Sequence, residues 1–184
     1  DLIRMIFQES STSRTPRQRI GQLLDAPLKL NTDLDAVARE QRIYQTLRQV
    51  GLLPDHANYY PHMLASGQKQ RIALARALIL QPKVIVADEA LASLDMSMRS
   101  QIINLMLELQ EKHGISYIYV TQHLGMMKHI SDQVIVMHEG EVVERGSTAE
   151  VLASPLHDLT KRLISSHFGE ALTADAWRRD SGHF

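Results

Sequence analysis

The sequence predicts an α/β protein built on a parallel sheet. After Lys83 the pattern alternates between strand and helix, as in proteins whose strands are joined by crossover helices. Val84–Ala87 and Ile115–Val120 are short continuous apolar runs, which predict parallel strands buried on both faces. Residues 16 to about 80 contain almost no strand pattern. We therefore expect an α/β core into which a helical lobe is inserted.

The first part of the chain predicts one strand followed by helices. Leu2–Phe7 is an apolar run that ends at Gln8, and the polar residues 9–16 predict a loop. A helix is expected from Pro16 to about Leu24, since proline is favoured in a first helical turn. A longer helix is expected over Asp33–Val50. Its apolar face should carry Leu34, Val37, Ala38, Leu47 and Val50, and Gly51 stands just past its end.

The rest of the chain predicts helices, one further strand and a hairpin. The helices expected are Ser66–Leu80, one carrying Met98, Ile102, Leu105, Met106 and Leu109 that Gly114 ends, Thr148–Ala153, and Leu156–Ser165. Asp132–Met137 and Glu141–Arg145 predict a hairpin around Glu139-Gly140. We divide the chain into a core strand (1–8), a helical lobe (9–80), an α/β core (81–165) and a tail (166–184) to which no structure is assigned.

Composition excludes several classes of function. The chain has 184 residues, 44% of them hydrophobic, a net charge of −1 and no cysteine. The absence of cysteine excludes disulfides, thiolate metal sites and a cysteine nucleophile. The charge balance gives no electrostatic reason to expect nucleic acid. No apolar run approaches the ~20 residues of a membrane span, so a role at a membrane would need a partner.

The end of the predicted strand Val84–Ala87 carries two carboxylates. Asp88 and Glu89 follow the strand directly. One carboxylate there can hold a magnesium-bound nucleotide while the second orients an attacking water. The alternative is a strand that ends in two solvated acids. The phosphate-cradling pattern G-x-x-x-x-G-K-[ST] is absent, because no glycine of the chain is followed by lysine. With Asp1 inside a strand-like run, this leads us to expect a fragment that starts within a domain.

Several motifs resemble those of ABC-transporter ATP-binding subunits. The run Tyr60–Arg71, then Ala75–Leu78 and Pro82-Lys83, is similar to that family, and within it to the oligopeptide/dipeptide permease class. The resemblance covers residues 2–165. It implies a P-loop NTPase core with the helical signature lobe, here truncated at its N-terminus, and ATP with Mg²⁺ as cofactors. Asp88 would then order the magnesium through water, and Glu89 would polarise the hydrolytic water.

Leu64-Ala65-Ser66-Gly67-Gln68 resembles the signature loop of the family. A helix that starts at Ser66-Gly67 offers free N–H groups and a positive dipole end, which favour a phosphate. In the family this loop binds the phosphate held by the opposite subunit. The alternative is an ordinary helix start with Ser66 as the cap. Ala65 stands where the family has serine, which removes one phosphate hydrogen bond, a loss of ~1.5–3 kcal/mol unless Ser66, which stands where the family has glycine, compensates.

Five further residues take roles from the resemblance. Gln8 matches the Q-loop residue, which reaches the metal and the attacking water. Ser93 and Asp95 match the D-loop, with a helix N-cap as the alternative. The family expects Ser-His-Asp after the strand Ile118–Val120, where this chain has Thr121-Gln122-His123. Gln122 therefore stands at the histidine position and His123 at the aspartate position. Which of the two acts as the switch residue is left open.

The resemblance implies an ATP-hydrolysing subunit of a bacterial peptide transporter, with antimicrobial peptides as the expected cargo. It would lie on the cytoplasmic face of the inner membrane, bound to membrane permease subunits and to a second ATP-binding subunit, in a heterodimer because of Ala65 and Gln122. The alternatives are a regulatory partner with weak ATPase activity and a soluble ABC ATPase outside transport. Lys69, Arg71 and Arg76 form no nucleic-acid face, since no aromatic residues lie between them. We expect residues 1–184 alone to be inactive.

Overall fold

The computed structural model describes residues 3–7 and 17–168, which fall into two compact units. The N-terminal unit runs to Val120 and the C-terminal unit starts at Thr121. Gln8, the rest of residues 8–16 and the tail 169–184 lie outside the described residues. Among the described residues, no helix is both long and apolar enough to cross a membrane.

The N-terminal unit contains a three-stranded parallel sheet, which confirms the predicted fold class. Strands β1 (Ile3–Phe7), β2 (Val84–Asp88) and β3 (Ser116–Val120) lie in the order β1-β2-β3. The register places Phe7, Asp88 and Val120 side by side. The carboxyl ends of all three strands therefore meet at one edge, and Asp88 lies in the middle of that edge.

One face of this sheet packs into the core, and the other does not. Ile6, Ile85 and Ala87 lie in the hydrophobic core of the unit. On the opposite face Ile118 is 54% exposed and Val120 is 48% exposed. The expectation that Ile115–Val120 is a buried strand is therefore wrong for these two residues, and Val84 and Val86 of β2 are only half-buried. An apolar strand can be buried on both faces, but its sequence does not ensure that other elements pack on both.

The predicted helical lobe is present between β1 and β2, with two corrections. Helix α1 (Ile20–Asn31) starts later than expected and continues through Pro27. Pro27 removes one backbone hydrogen bond from a helix interior. The helix nevertheless continues, because Leu24 and Leu28 stack one turn apart and are fully buried. Burial on the core side outweighs the cost of the proline.

Helix α2 (Ala36–Gln49) confirms the second predicted helix, and Leu47 and Val50 of its predicted apolar face are buried. Its buried residues are Ile43, Thr46 and Leu47, and Val50 follows at its C-cap. Val37, expected on that face, is 64% exposed. The helix begins at Asp35, whose carboxylate accepts a hydrogen bond from the Ala38 N–H at 2.8 Å. The first turn lies beyond the core contact, so apolar residues there are not buried.

Two short 3₁₀ segments, Pro54–Asn58 and Pro61–Met63, connect α2 to α3 (Ser66–Leu78). Helix α4 (Met96–His113) ends at Gly114, as predicted, in the left-handed conformation with φ 63°. Its buried face consists of Ile102, Leu105, Met106 and Leu109. The predicted apolar periodicity of α4 is thus confirmed, apart from Met98, which is only partly buried against the core.

The C-terminal unit contains the predicted hairpin and three helices. Strands β4 (Gln133–His138) and β5 (Glu141–Ser147) pair antiparallel around Glu139-Gly140. Both turn residues have positive φ, 49° and 83°, as a tight hairpin turn requires. The helices are α5 (Leu124–Ile130), α6 (Thr148–Ala153) and α7 (Asp158–Phe168). Helix α6 matches its prediction, α7 lies slightly later than Leu156–Ser165, and α5 was not predicted.

Candidate functional site

The start of α3 is an open helix N-terminus. Ala65 is the N-cap, with extended backbone, and Ser66 is the first helical residue, so Ser66 is not the cap. Alanine has no side-chain oxygen with which to cap the helix. Among the described residues, the backbone N–H groups of Ser66, Gly67 and Gln68 donate to no acceptor. Ala65 and Ser66 are exposed. These N–H groups are thus available to an anion approaching along the helix axis.

Gly67 brings this loop into close contact with α4. A Cβ at position 67 would lie 2.5 Å from the terminal methyl of Met98. That methyl is the end of a flexible side chain, so it can move away. Gly67 is buried, so a side chain at this position would have to displace Met98.

The acidic pair lies where β2 leaves the sheet. Asp88 is the last residue of β2 and is half-buried. Glu89 follows with φ 45°, and its N–H donates to the carbonyl of Val120 at 2.9 Å. A non-glycine residue in this region costs about 1–2 kcal/mol. The sequence carries no signal for this strained backbone, which turns the chain sharply after Asp88 at the edge where the strands end.

Local hydrogen bonds to backbone groups hold the segment after Glu89. The Ala92 N–H donates to the carbonyl of Glu89 at 3.1 Å, and Arg99 Nη2 donates to the carbonyl of Leu94 at 2.9 Å. Asp95 is the N-cap of α4 and accepts from the Met98 N–H at 2.9 Å. Of the two predicted D-loop residues, Asp95 thus caps α4, and a helix N-cap is the alternative to a D-loop role. Ser93 is exposed.

The remaining predicted residues are Gln122, His123 and Gln8. Gln122 and His123 belong to the C-terminal unit, whereas the acidic pair belongs to the N-terminal unit. Gln122 is exposed, and His123 is the half-buried N-cap of α5. The Thr121 hydroxyl accepts from the His123 N–H at 3.0 Å. Gln8 lies outside the described residues.

The donor set at the sheet edge is compatible with magnesium bound together with a nucleotide. Among the described residues, no group of three or more histidine or acidic side chains could hold a metal ion. Mg²⁺ in nucleotide sites usually takes one or two carboxylates, and phosphates and waters complete its coordination. Asp88 supplies such a single carboxylate at the end of the central strand. The residues present therefore suit Mg²⁺ only as part of a nucleotide complex.

No feature of the sequence singles out His56, which the structure brings to Gln68. His56 is half-buried in the first 3₁₀ segment, and its Nε2 lies 3.3 Å from the Nε2 of Gln68. A histidine preceding the signature loop by about ten residues has no periodicity that would single it out. Only the folded path of the two 3₁₀ segments brings it to the loop.

Comparison with known proteins agrees with the motifs. A family model described as ABC transporter matches residues 1–92. The putrescine export system ATP-binding protein SapF of Escherichia coli is 80% identical over 178 residues, which are 97% of this chain and 66% of that protein. The dipeptide transport ATP-binding protein DppF of Haemophilus influenzae is 42% identical over 89% of this chain and 50% of its own length.

A further relative and a solved structure give the same result. The peptide transport system ATP-binding protein SapF of Salmonella typhimurium is 79% identical over 97% of this chain and 66% of its own length. The structure of CbiO1 from Clostridium perfringens, part of the ABC transporter complex CbiONQ, matches with a TM-score of 0.72 at 26% identity. That match covers 97% of this chain and 67% of the other. The predicted fold and the resemblance to SapF, based on Ala87–Arg99, are confirmed. The chain spans about two thirds of the length of the SapF relatives.

Proposed function

Because this chain belongs to the ABC transporter family, we propose that it is part of an ATP-binding subunit that hydrolyses ATP to power a bacterial transporter. The observation that carries the proposal is the arrangement within the N-terminal unit. An uncapped helix start lies at Ala65-Ser66, and two carboxylates end the central strand at Asp88-Glu89. One feature binds phosphate and the other serves the metal and the water.

We assign the roles at the acidic end as follows. Asp88 orders Mg²⁺ through water, together with the phosphates of ATP, and Gln8, which follows Phe7 in the sequence, contributes to the same metal site. Glu89 is the catalytic residue, because a carboxylate beside the γ-phosphate can orient the attacking water and accept its proton. The strained backbone at Glu89, with φ 45°, supports this assignment, since such strain persists where the surrounding structure holds a residue for function.

The signature loop acts on the ATP bound by a second subunit. Leu64 to Gln68 present N–H groups to its γ-phosphate, while Ser93 and Asp95 line the contact between the subunits. Gln122 and His123 are the candidates for the switch position. A glutamine amide donates one neutral hydrogen bond to the phosphate and does not titrate. We therefore infer that the site containing Gln122 turns over slowly and that this chain works in a heterodimer with a complete second subunit.

The cargo we propose is a peptide, with antimicrobial peptides as the expected class. The names of the relatives indicate two kinds of cargo. The Salmonella protein is named for peptide transport and the Escherichia coli protein for putrescine export. Both names are compatible with a cationic cargo. Polyamine export is therefore the second candidate. In either case the subunit would be bound to permease subunits at the cytoplasmic face of the inner membrane.

ATP turnover tests the proposal directly. We would extend the chain to the length of the SapF relatives and measure hydrolysis alone and with a second peptide-class ATP-binding subunit. Glu89→Gln should reduce turnover at its own site by at least ~100-fold, because the group that orients the water is lost. Glu111→Gln, an exposed glutamate on α4, is the matched control and should behave as wild type.

The outcomes separate the alternatives. Turnover in the mixture alone supports a heterodimer, whereas rapid turnover by the extended chain alone would show that Ala65 and Gln122 are tolerated. Wild-type turnover by Glu89→Gln in the mixture would favour a regulatory subunit. Co-purification with ribosomes rather than with permease subunits would favour a non-transport ATPase. Residues 1–184 alone should bind ATP too weakly for calorimetry, since no glycine is followed by lysine; micromolar affinity would contradict this expectation.

A further inference from the structure

The N-terminal unit contains a pocket at the end of the sheet opposite to the acidic pair. It has a volume of about 210 Å³. Pro82, two residues before β2, and Ile115, directly before β3, line the pocket, so it lies at the amino ends of these strands. The five residues of β2 span about 13 Å, and Asp88 lies at the far end. The pocket is therefore separate from the site proposed for Mg²⁺ and ATP.

The polar lining of this pocket comes from three parts of the unit. Arg42, Gln45 and Gln49 lie three and four residues apart on α2 and share one side of that helix. Gln81 lies in the turn between α3 and β2, and His113 is the last residue of α4. The Nε2 atoms of Gln49 and His113 are 3.5 Å apart, so α2 and α4 meet here. No aspartate or glutamate is among the described residues that line the pocket.

Arg42 brings a positive charge to the pocket without a protein partner. It is half-buried, and its guanidinium forms no ion pair or hydrogen bond with a described residue. By contrast, Arg39, one turn earlier on α2, donates to Asp25 at 2.7 Å and to the carbonyl of Leu34 at 2.8 Å. A guanidinium carries five N–H donors in a planar fork that matches a carboxylate. The unpaired fork of Arg42 therefore favours an anionic ligand.

The backbone of Gln81 is a second, independent observation. Its φ is 53°, a conformation that few residues other than glycine adopt. Its N–H donates to the carbonyl of Leu78 at 2.7 Å, but its side chain forms no hydrogen bond with a described residue. A glycine would take the same conformation without strain. The strain is thus borne by a residue whose amide lines the pocket, and strained residues of this kind cluster at ligand sites.

The rest of the lining indicates which kind of anion fits. Leu78, Pro82 and Ile115 are buried and give the pocket an apolar surface. The glutamine amides can donate and accept, so they match an amide group better than a second charge. Pockets for drug-sized ligands measure ~300–1,000 Å³, so this one holds a smaller molecule. An inorganic anion would leave the apolar surface without a contact.

We propose that this pocket binds a small carboxylate that also carries an amide group and an apolar side chain. Arg42 binds the carboxylate, the glutamine amides bond the amide group, and the apolar surface receives the side chain. An N-acylated apolar amino acid has this chemistry, and so does the C-terminus of a peptide that ends in an apolar residue. The proposal concerns binding outside the ATP site and does not depend on the proposed function.

The first test compares ligands by titration, with ¹H–¹⁵N spectra of the protein extended to the length of its SapF relatives. N-acetylleucine should bind with a Kd of ~1 mM or below and shift the side-chain amide signals of Gln45, Gln49 and Gln81. N-acetylleucinamide, which lacks only the charge, should bind at least ~10-fold more weakly. An acetylated tetrapeptide ending in leucine shows whether the free amino acid or a peptide end binds better. Equal affinity for N-acetylleucine and its amide, or for N-acetylleucine and inorganic phosphate, would overturn the proposal.

The second test changes the pocket. Arg42→Gln should weaken binding of N-acetylleucine at least ~10-fold, and Arg42→Lys should lose less, because it keeps the charge without the planar fork. Arg48→Gln, an exposed arginine of the same helix outside the lining, is the matched control and should bind as wild type does. Gln81→Gly should weaken binding several-fold without lowering the free energy of unfolding, because glycine relieves the strain.

These variants decide the proposal without any measurement of ATP turnover. Wild-type affinity in Arg42→Gln would overturn it, since the charge of the pocket would then have no part in binding. Equal losses in Arg42→Gln and Arg48→Gln would also overturn it, because they would show a general effect of net charge. Failure of the proposed function would leave both binding tests unchanged.

Discussion

At the scale of single residues, Gly51 is constrained in two independent ways. It follows α2 with φ 73°, a conformation that L side chains rarely adopt. In addition, a Cβ at this position would lie 2.6 Å from Nη1 of Arg71. That nitrogen donates to the carbonyl of Val50 at 2.7 Å, so it cannot move without breaking this bond. Arg71 of α3 thereby holds the C-terminus of α2, and the glycine after α2 leaves room for this contact.

Gly51→Ala should therefore destabilise the N-terminal unit more than Gly114→Ala does. Gly114 has φ 63°, but a Cβ there would meet nothing within 4 Å. We expect about 1–2 kcal/mol for Gly114→Ala from backbone strain alone. Gly51→Ala should cost about 1 kcal/mol more, for the lost Arg71 bond. Denaturant unfolding measures both, and equal losses would show that Arg71 accommodates a methyl group freely.

At the candidate site, a substitution of Ala65 should increase stability instead of lowering it. Ala65→Ser should stabilise the N-terminal unit by about 1 kcal/mol, because the hydroxyl can accept from the first turn of α3. Asp35→Ala and Asp95→Ala are the matched comparisons, since both side chains cap their helices, with bonds of 2.8 and 2.9 Å. Each should lose about what Ala65→Ser gains. The measurement is again the free energy of unfolding; an unchanged value for Ala65→Ser would show that the new hydroxyl does not cap α3.

At the scale of elements, Glu144 of β5 links the hairpin to the start of α7. Its carboxylate accepts from the N–H of Leu156 at 2.8 Å and from the N–H of His157 at 3.0 Å. Burial alone would raise the pKa of Glu144, but the N–H groups of Leu156 and His157 stabilise the charged form and lower the pKa below its usual range. This carboxylate thus holds Leu156-His157, directly before α7.

The stability that Glu144 contributes should be lost in acid. Its pKa is lower in the folded than in the unfolded state, so the contribution is present at neutral pH and falls as the carboxylate is protonated below its usual pKa. Glu144→Gln should increase hydrogen exchange of α7 amides at pH 7. The stability of the variant should also fall less than that of wild type as the pH is lowered. Glu141→Gln, an exposed glutamate on the same strand, is the control. A pH dependence that survives unchanged in Glu144→Gln would exclude this carboxylate as its source.

At the scale of the whole molecule, the bare face of the N-terminal sheet is the feature with the largest consequence for behaviour in solution. Ile3, Met5, Ile118 and Val120 lie on this face with exposed fractions from 48% to 59%. The strand register aligns Met5 of β1 and Ile118 of β3 on either side of the half-buried Val86 of β2. Contiguous apolar surface of this kind favours association between molecules.

Residues 1–184 should therefore bind a hydrophobic dye and self-associate as concentration rises. Ile118→Thr with Val120→Thr should reduce both effects, since threonine keeps the β-branched shape while adding a hydroxyl on the exposed side. Ile85→Thr, which alters a fully buried position on the opposite face, should instead destabilise the unit. Light scattering and dye fluorescence measure the association, and no change in the double variant would exclude this face.

Much of the fold could be predicted because its signals are local. Asp35 and Asp95 cap helices, Gly51 and Gly114 end them, and Glu139-Gly140 closes a hairpin; each rule concerns a few neighbouring residues. The same holds for the candidate site, where Asp88-Glu89 and the loop Leu64–Gln68 are contiguous motifs. Helix α5, the exposure of Val37 on α2 and the continuation of α1 through Pro27 were missed. In these cases tertiary packing outweighed weak local preference.

By itself, the sequence determined that the chain is an α/β protein of the ABC transporter family and which carboxylates and loop residues form its candidate site. These properties depend on periodicity and on motifs that are adjacent along the chain. The tertiary structure alone decided which face of the sheet is covered, that Glu89 takes a left-handed backbone, and that His56 reaches Gln68. The physical reason is that each depends on atoms from segments distant in sequence, and burial, strain and hydrogen-bond partners are determined only when those segments meet.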